Sequence, residues 1–185
     1  MYAWYLQNSP YSLSKRNSEI DQIVLKKNKF CNFIYSNPNA QKRIDFFYKL
    51  SQYKKVDSGG ALLNNIGGTV SDKLSFINNY KFTIAFENSS YPGYTTEKIV
   101  QPMMVRSIPI YWGNELIYQD FNTKSFLNYH DYSNEDQLIN RIIEVDQNIE
   151  LYRQYLLEPY FHNNRDNIYI HDENVLNQFE KIFGF

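Results

Sequence analysis

At 185 residues the chain suits one ordinary domain and is short for two, and its 43% hydrophobic content is ample for a packed core. Its 19 basic and 20 acidic residues leave a net charge of −1, which argues against a non-specific polyanion binder such as a nucleic-acid coat but allows a local basic pocket. A single cysteine, Cys31, excludes an internal disulfide, and no apolar stretch approaches the ~20 residues that span a bilayer. The opening "MYAWYLQNSPYSLSK" lacks a charged start followed by an uninterrupted apolar run, so it is a poor signal peptide. The expected location is cytoplasmic, with peripheral membrane attachment as a variant. The aromatic content of 17% suits sheets and says little about ligands.

Residues 1–28 read as an N-terminal linker or remnant. Within them "NSPYSLSKRNSE" is rich in turn formers and predicts a loop, and "EIDQIVLKK" fits a short helix or a strand. Regular alternation begins at residue 29. "KFCNFIYS" (29–36) predicts a strand, with Cys31 as a small buried hydrophobe. "NPNAQKRIDFFYKLSQY" predicts a helix with Ile44, Phe47 and Leu50 at helical spacing. "KKVDS" predicts a short strand before a Gly59-Gly60 turn, and "GGTVSDKLSFINNY" holds a short helix around Leu74 and Ile77. "KFTIAFE" (81–87) is a strong strand, followed by a helix over 95–106. "SIPIYW" (107–112) and "SFLNYH" (125–130) are further strands, Pro109 marking a strand start or an edge. "NEDQLINRIIEVDQNIELYRQYLLE" is helical with a break near Gln147-Asn148. "DENVLNQFEKIFGF" closes the chain as an amphipathic helix, with Val175, Leu176, Phe179, Ile182 and Phe183 on one face.

Strands separated by helices predict an α/β fold of Rossmann-like type, with a mainly parallel sheet, helices on both faces and right-handed crossovers. Ligands of such sheets bind beyond the carboxyl ends of the strands. Two polar stretches fall there. "FENSSYPGYTTEKIV" (86–100) follows the strong strand. Thr95 or Thr96 can cap the next helix and Glu97 suits its positive end, which is a purely structural role. The same groups suit a nucleotide: helix-terminal N–H groups and Lys98 for phosphate, Glu97 for neighbouring ribose hydroxyls, and Tyr94, after flexible Gly93, for its hydroxyl or ring. "YSNPNAQKR" follows the first strand and puts Arg43 in the first turns of its helix, where a guanidinium can clamp a diphosphate. A solvated helix charge is the plainer role for a lone arginine; the pairing with Lys98 at the second junction favours the pocket. No glycine-rich dinucleotide fingerprint or P-loop is present. His130, His162 and His171 lack ligand spacing, and no D-x-D triplet exists to hold a sugar-nucleotide metal.

The segment "YKFTIAFENSSYPGYTTEKIVQPMMVRSIPIYWGN" closely resembles the donor-binding motif of the α-1,3/α-1,4-fucosyltransferases. The likeness extends through "CNFIYSNPNAQKR" and "VDSGG" upstream and "DFNTKSFLN" downstream, covering most of residues 29–130. It implies that residues 29–185 are the GDP-fucose-binding, C-terminal Rossmann-like half of a GT-B glycosyltransferase. It implies donor contacts from Arg43 and Lys98 to phosphate, from Glu97 to ribose, and from Asn88 and Tyr94. It implies inverting transfer of fucose to N-acetylglucosamine or glucose of a glycan, with no cofactor and no metal in the donor contacts.

Two departures bear on that expectation. The family's general base is a glutamate of the N-terminal, acceptor-side domain, and only about thirty residues precede the donor domain here. The expectation is a truncated or split enzyme, or a donor half that works with a companion acceptor domain. The alternatives are a catalytically silent nucleotide-sugar-binding or homodimerising domain, and a domain that keeps the motif for folding alone. Pro102 in "KIVQPMMV" removes an N–H and crowds the carbonyl of Lys98, which predicts a short or kinked helix with an intact first turn.

Overall fold

The computed structural model describes residues 13, 19–165 and 172–184. Within them, helix α1 (Ile20–Lys26) precedes strand β1 (Lys29–Phe33), helix α2 (Gln41–Ser51) and strand β2 (Val56–Ser58). Helix α3 (Lys73–Ile77), strand β3 (Tyr80–Phe86), helix α4 (Glu97–Met104) and strand β4 (Ile108–Trp112) follow. Strand β5 (Leu127–Asn128) leads to helices α5 (Glu135–Gln147), α6 (Ile149–Leu157) and α7 (Asp172–Phe183). Most of the loop predicted for "NSPYSLSKRNSE" lies outside the described residues. α1 falls inside the segment read as a linker and buries Ile20 in the core.

The five strands form one parallel sheet in the order β2-β1-β3-β4-β5. β3 is its axis: Phe82, Ile84 and Phe86 pair with Ile108, Ile110 and Trp112 of β4, and Cys31 of β1 pairs with Phe82. Because side chains alternate along a strand, β3 feeds two cores. Phe82, Ile84 and Phe86 pack with Phe46, Phe47 and Leu50 of α2 and with Leu138, Ile142 and Val145 of α5. Ala85 faces Ile99, Val100 and Met103 of α4 on the other side. The sheet is therefore covered on both faces, the arrangement that parallel sheets need.

Helix boundaries follow local chemistry. α2 starts three residues later than the Asn37-Pro38 signal, because Asn37 accepts the N–H of Asn39 (2.9 Å) and makes a turn of that dipeptide. The break between α5 and α6 is Asn148, whose extended backbone ends one helix while its side chain accepts from Glu150 N–H (3.0 Å) and Leu151 N–H (3.1 Å) to start the next. β5 is two residues long rather than six, cut on both sides by 3-10 turns at Thr123–Ser125 and Tyr129–Asp131. α7 forms as predicted, but Leu176, Phe179, Ile182 and Phe183 are exposed, with Phe179 and Phe183 stacked on each other (5.8 Å). The side chain of Val175 lies outside the described residues. No described helix is long and apolar enough to cross a membrane.

Candidate functional site

The order 2-1-3-4-5 reverses direction between β1 and β3: the chain leaves β1 toward β2 on one side and leaves β3 toward β4 on the other. Their connecting helices, α2 and α4, lie on opposite faces. In open α/β sheets such a reversal parts the loops at the carboxyl edge and makes the crevice in which ligands bind. Both polar stretches of the sequence border that crevice.

On the β1 side, Arg43 is the third residue of α2 and only 1% exposed, not the solvated helix charge it resembles in sequence. It lies on the apolar face of the helix, one turn from Phe46 and Phe47. Its guanidinium stacks over the Tyr35 ring, 4.2 Å from the centroid, and donates to Asn88 Oδ1. Its Nε has no partner among the described residues. Burial pushes its pKa down, and the neighbouring Tyr35, Glu87 and Tyr94 oppose that shift. Tyr35 is fixed in turn: its hydroxyl is shared between Ile84 O (2.9 Å) and Phe86 O (3.1 Å) and accepts Phe86 N–H (2.8 Å). The guanidinium thus rests on a rigid platform with donor capacity to spare, the arrangement that suits a planar, multiply charged acceptor.

On the β3 side, Glu87 organises the loop. Alternation puts it on the α4 face, two residues after Ala85, and it is fully buried. It accepts Thr96 N–H (2.9 Å) and the Thr96 hydroxyl (2.8 Å), and pairs with Lys98 Nζ at 3.0 Å. Thr96 is the N-cap of α4; its Oγ1 accepts Lys98 N–H (3.4 Å) and Lys98 Nζ (3.0 Å). Two N–H groups at this helix start are therefore engaged internally. An anion would meet mainly the Lys98 ammonium, whose third neighbour is Glu97 Oε1 at 3.6 Å. α4 is one short, continuous helix of eight residues, and its first turn is intact ahead of Pro102.

Asn114 staples the intervening loop. It accepts Gly93 N–H (2.9 Å) and donates to Thr95 Oγ1 (3.1 Å), so the second threonine braces the loop while Thr96 caps the helix. Gly93 has φ +78°, a left-handed turn that hands the chain on to Tyr94. Gly113 is small for another reason: a Cβ there would sit 2.5 Å from Cγ of Glu87.

Of the five residues singled out in the sequence, Arg43 and Asn88 are hydrogen-bonded, Glu97 and Lys98 are ion-paired, and half-buried Tyr94 lies within electrostatic reach of Arg43. Sequence reasoning missed Glu87, Tyr35 and Asn114 as parts of the site. The period-2 series Thr83, Ala85, Glu87 was a usable signal, because it places a carboxylate on a buried face next to a strand end. Among the described residues no three His, Cys, Asp or Glu side chains gather where they could hold a metal ion; His171 lies outside them.

The profile of glycosyltransferase family 10 (fucosyltransferase), C-terminal region, matches residues 24–167. An alpha-(1,3)-fucosyltransferase of Helicobacter pylori is 39% identical over 142 residues, covering 77% of this chain and 29% of the relative. A crystal structure of an alpha1,3-fucosyltransferase with GDP-fucose superposes with a TM-score of 0.77 at 36% identity, over 86% of this chain and 48% of that one. Another, with GDP, superposes with a TM-score of 0.80 at 30% identity, over 99% and 62% respectively. The chain thus spans under a third of the curated relative's length and about half to three-fifths of the solved chains. The matched region contains the whole sheet and both borders of the crevice, and the chain belongs to glycosyltransferase family 10, the fucosyltransferases, as their C-terminal, Rossmann-like part.

Proposed function

We propose that the crevice binds GDP-fucose and that the chain is the donor-binding part of an inverting α-1,3-fucosyltransferase acting on N-acetylglucosamine or glucose of a glycan. The observation that carries this reading is the convergence of Arg43, Asn88 and Lys98 on the β1/β3 switch point. Breaking the sugar–phosphate bond leaves negative charge on GDP and positive charge on the fucosyl ring. Arg43, buried and already oriented, stabilises the departing diphosphate without reorganising. Lys98 shares its ammonium between Glu87 and a phosphate oxygen. Asn88 holds the guanidinium in register, Glu97 accepts the ribose hydroxyls, and Tyr94 closes the Arg43 side with its hydroxyl or ring. In this reading the protein's own cations serve the diphosphate and no divalent ion is required. An acceptor hydroxyl attacks the opposite face of the fucose, and its general base is a carboxylate of a companion acceptor domain.

Thermal unfolding with GDP in EDTA tests the donor reading. At 100 times its Kd, GDP adds about 2.7 kcal/mol of stability, which for a domain of this size raises Tm by about 5–11 °C. No shift at saturating GDP would overturn the reading. Incubation with GDP-fucose and an N-acetyllactosamine-type acceptor tests catalysis. GDP binding without fucosylated product assigns the chain alone to a silent donor-binding domain.

A further inference from the structure

A third cation borders the crevice. Lys73, the first residue of α3, is half-buried and shares with Lys98 a recess walled by Ile34, Tyr35, Thr83 and Pro102. Its neighbour in sequence, Asp72, is engaged in starting the helix, accepting Ser75 N–H (3.0 Å) and the Ser75 hydroxyl (2.6 Å). The carboxylates Lys73 feels, Glu97 and Glu87, are both paired with Lys98. The Lys73 ammonium has no ion pair or hydrogen bond among the described residues. Burial pushes its pKa down, with the Lys98 charge acting in the same direction. A half-buried ammonium beside a like charge and without a counter-ion is costly to hold. The crevice as a whole carries Arg43, Lys73 and Lys98 against Glu87 and Glu97, an excess of one positive charge.

We propose that Lys73 is a further anion-binding residue of this site, meeting the diphosphate of the bound nucleotide from the α3–α4 side while Arg43 meets it from the α2 side. The inference rests on reading the crevice as a GDP-fucose site. It has a consequence for selectivity. The diphosphate of the intact sugar nucleotide is esterified at both ends, whereas free GDP has a terminal phosphate whose second pKa is about 6. GDP is therefore the more negative of the two at neutral pH, and Lys73 serves the departing GDP more than the intact donor.

The test is calorimetric titration of Lys73→Gln and Lys73→Arg with GDP, GDP-fucose and guanosine, beside Arg43→Met. Loss of one charge-assisted contact weakens GDP binding by Lys73→Gln about tenfold and GDP-fucose by less, while Lys73→Arg retains most of the affinity. Guanosine, which has no phosphate, binds unchanged. A second measurement uses the wild-type chain and needs no variant to fold. GDP slows acetylation of the Lys73 amine by an amine-reactive reagent, and guanosine does not. If Arg43→Met loses GDP affinity while Lys73→Gln does not and Lys73 stays unprotected, the inference falls and the donor site stands. Equal loss of guanosine and GDP in Lys73→Gln also overturns it, by showing a structural role. Failure of the wild-type chain to bind GDP overturns the donor reading and this inference with it.

Discussion

Glu87 is a residue whose importance comes from what it holds in place. Fully buried, it bridges the N-cap of α4 and the Lys98 ammonium, and only the absence of a side chain at position 113 makes room for it. Removing one partner of a buried ion pair leaves the other uncompensated. Lys98 keeps some contact with water (its side chain is 14% exposed), so the cost falls below that of a fully buried pair. Glu87→Gln retains a hydrogen-bond acceptor for Thr96 and leaves Lys98 only the longer contact with Glu97 (3.6 Å), and it should destabilise the protein by about 1–3 kcal/mol, measurable by urea denaturation. The residue was hard to see in the sequence because it follows directly on a strand and opens a conspicuous polar loop. Arg43 was noticed, and its setting could have been read as well. Positions 43, 46, 47 and 50 make one helical stripe, and an arginine on that stripe signals a buried guanidinium with a partner.

At the scale of elements, the strongly periodic segments were legible and the short polar-flanked ones were not. The break at Asn148 was visible as a capping residue inside a long helical pattern. The length of β5 was not, because nothing in "SFLNYH" announces the 3-10 turns that trim it. Nor did the sequence show how α3 and α4 end. Lys27, just past α1, is 3% exposed and donates to Asn78 O (2.8 Å) and Val105 O, the residues that cap the C-termini of those two helices. Burial lowers its pKa from 10.5 to about 7. In the unfolded chain the amine stays protonated up to its ordinary pKa, so between these values the unfolded state binds more protons and stability rises with pH. The destabilisation is complete below pH 7 and is relieved as pH climbs toward 10.5. The slope from this one group is at most about 1.4 kcal/mol per pH unit. Lys27→Met should lose that rise, leaving a flatter stability curve between pH 7 and 10 by urea denaturation.

For the molecule as a whole, strand–helix alternation was enough to predict a parallel, two-faced sheet, and the polar strand ends were enough to locate its working edge. Strand order was beyond reach. Nothing in the lengths of the segments shows that the chain turns back between β1 and β3, and this reversal is what brings Arg43 and Lys98 to one crevice. The same order predicts the pattern of local stability. β1, β3 and β4 form the centre of the sheet, and their amides should exchange with solvent only on global unfolding. The amides of α7, with its apolar residues exposed, should exchange orders of magnitude faster. Equal protection of α7 and β3 in hydrogen-exchange mass spectrometry would contradict this picture.

The sheet's margins bear on how such a domain can join another. β2 has three residues and β5 two, and among the described residues both sit at the rims of the sheet. A rim that short offers few unpaired backbone groups for an incoming strand. A second polypeptide that docks here would not extend the sheet. It would have to grip the domain by side chains, over the loops of the carboxyl edge or along the helices, and its departure would break no strand pairing.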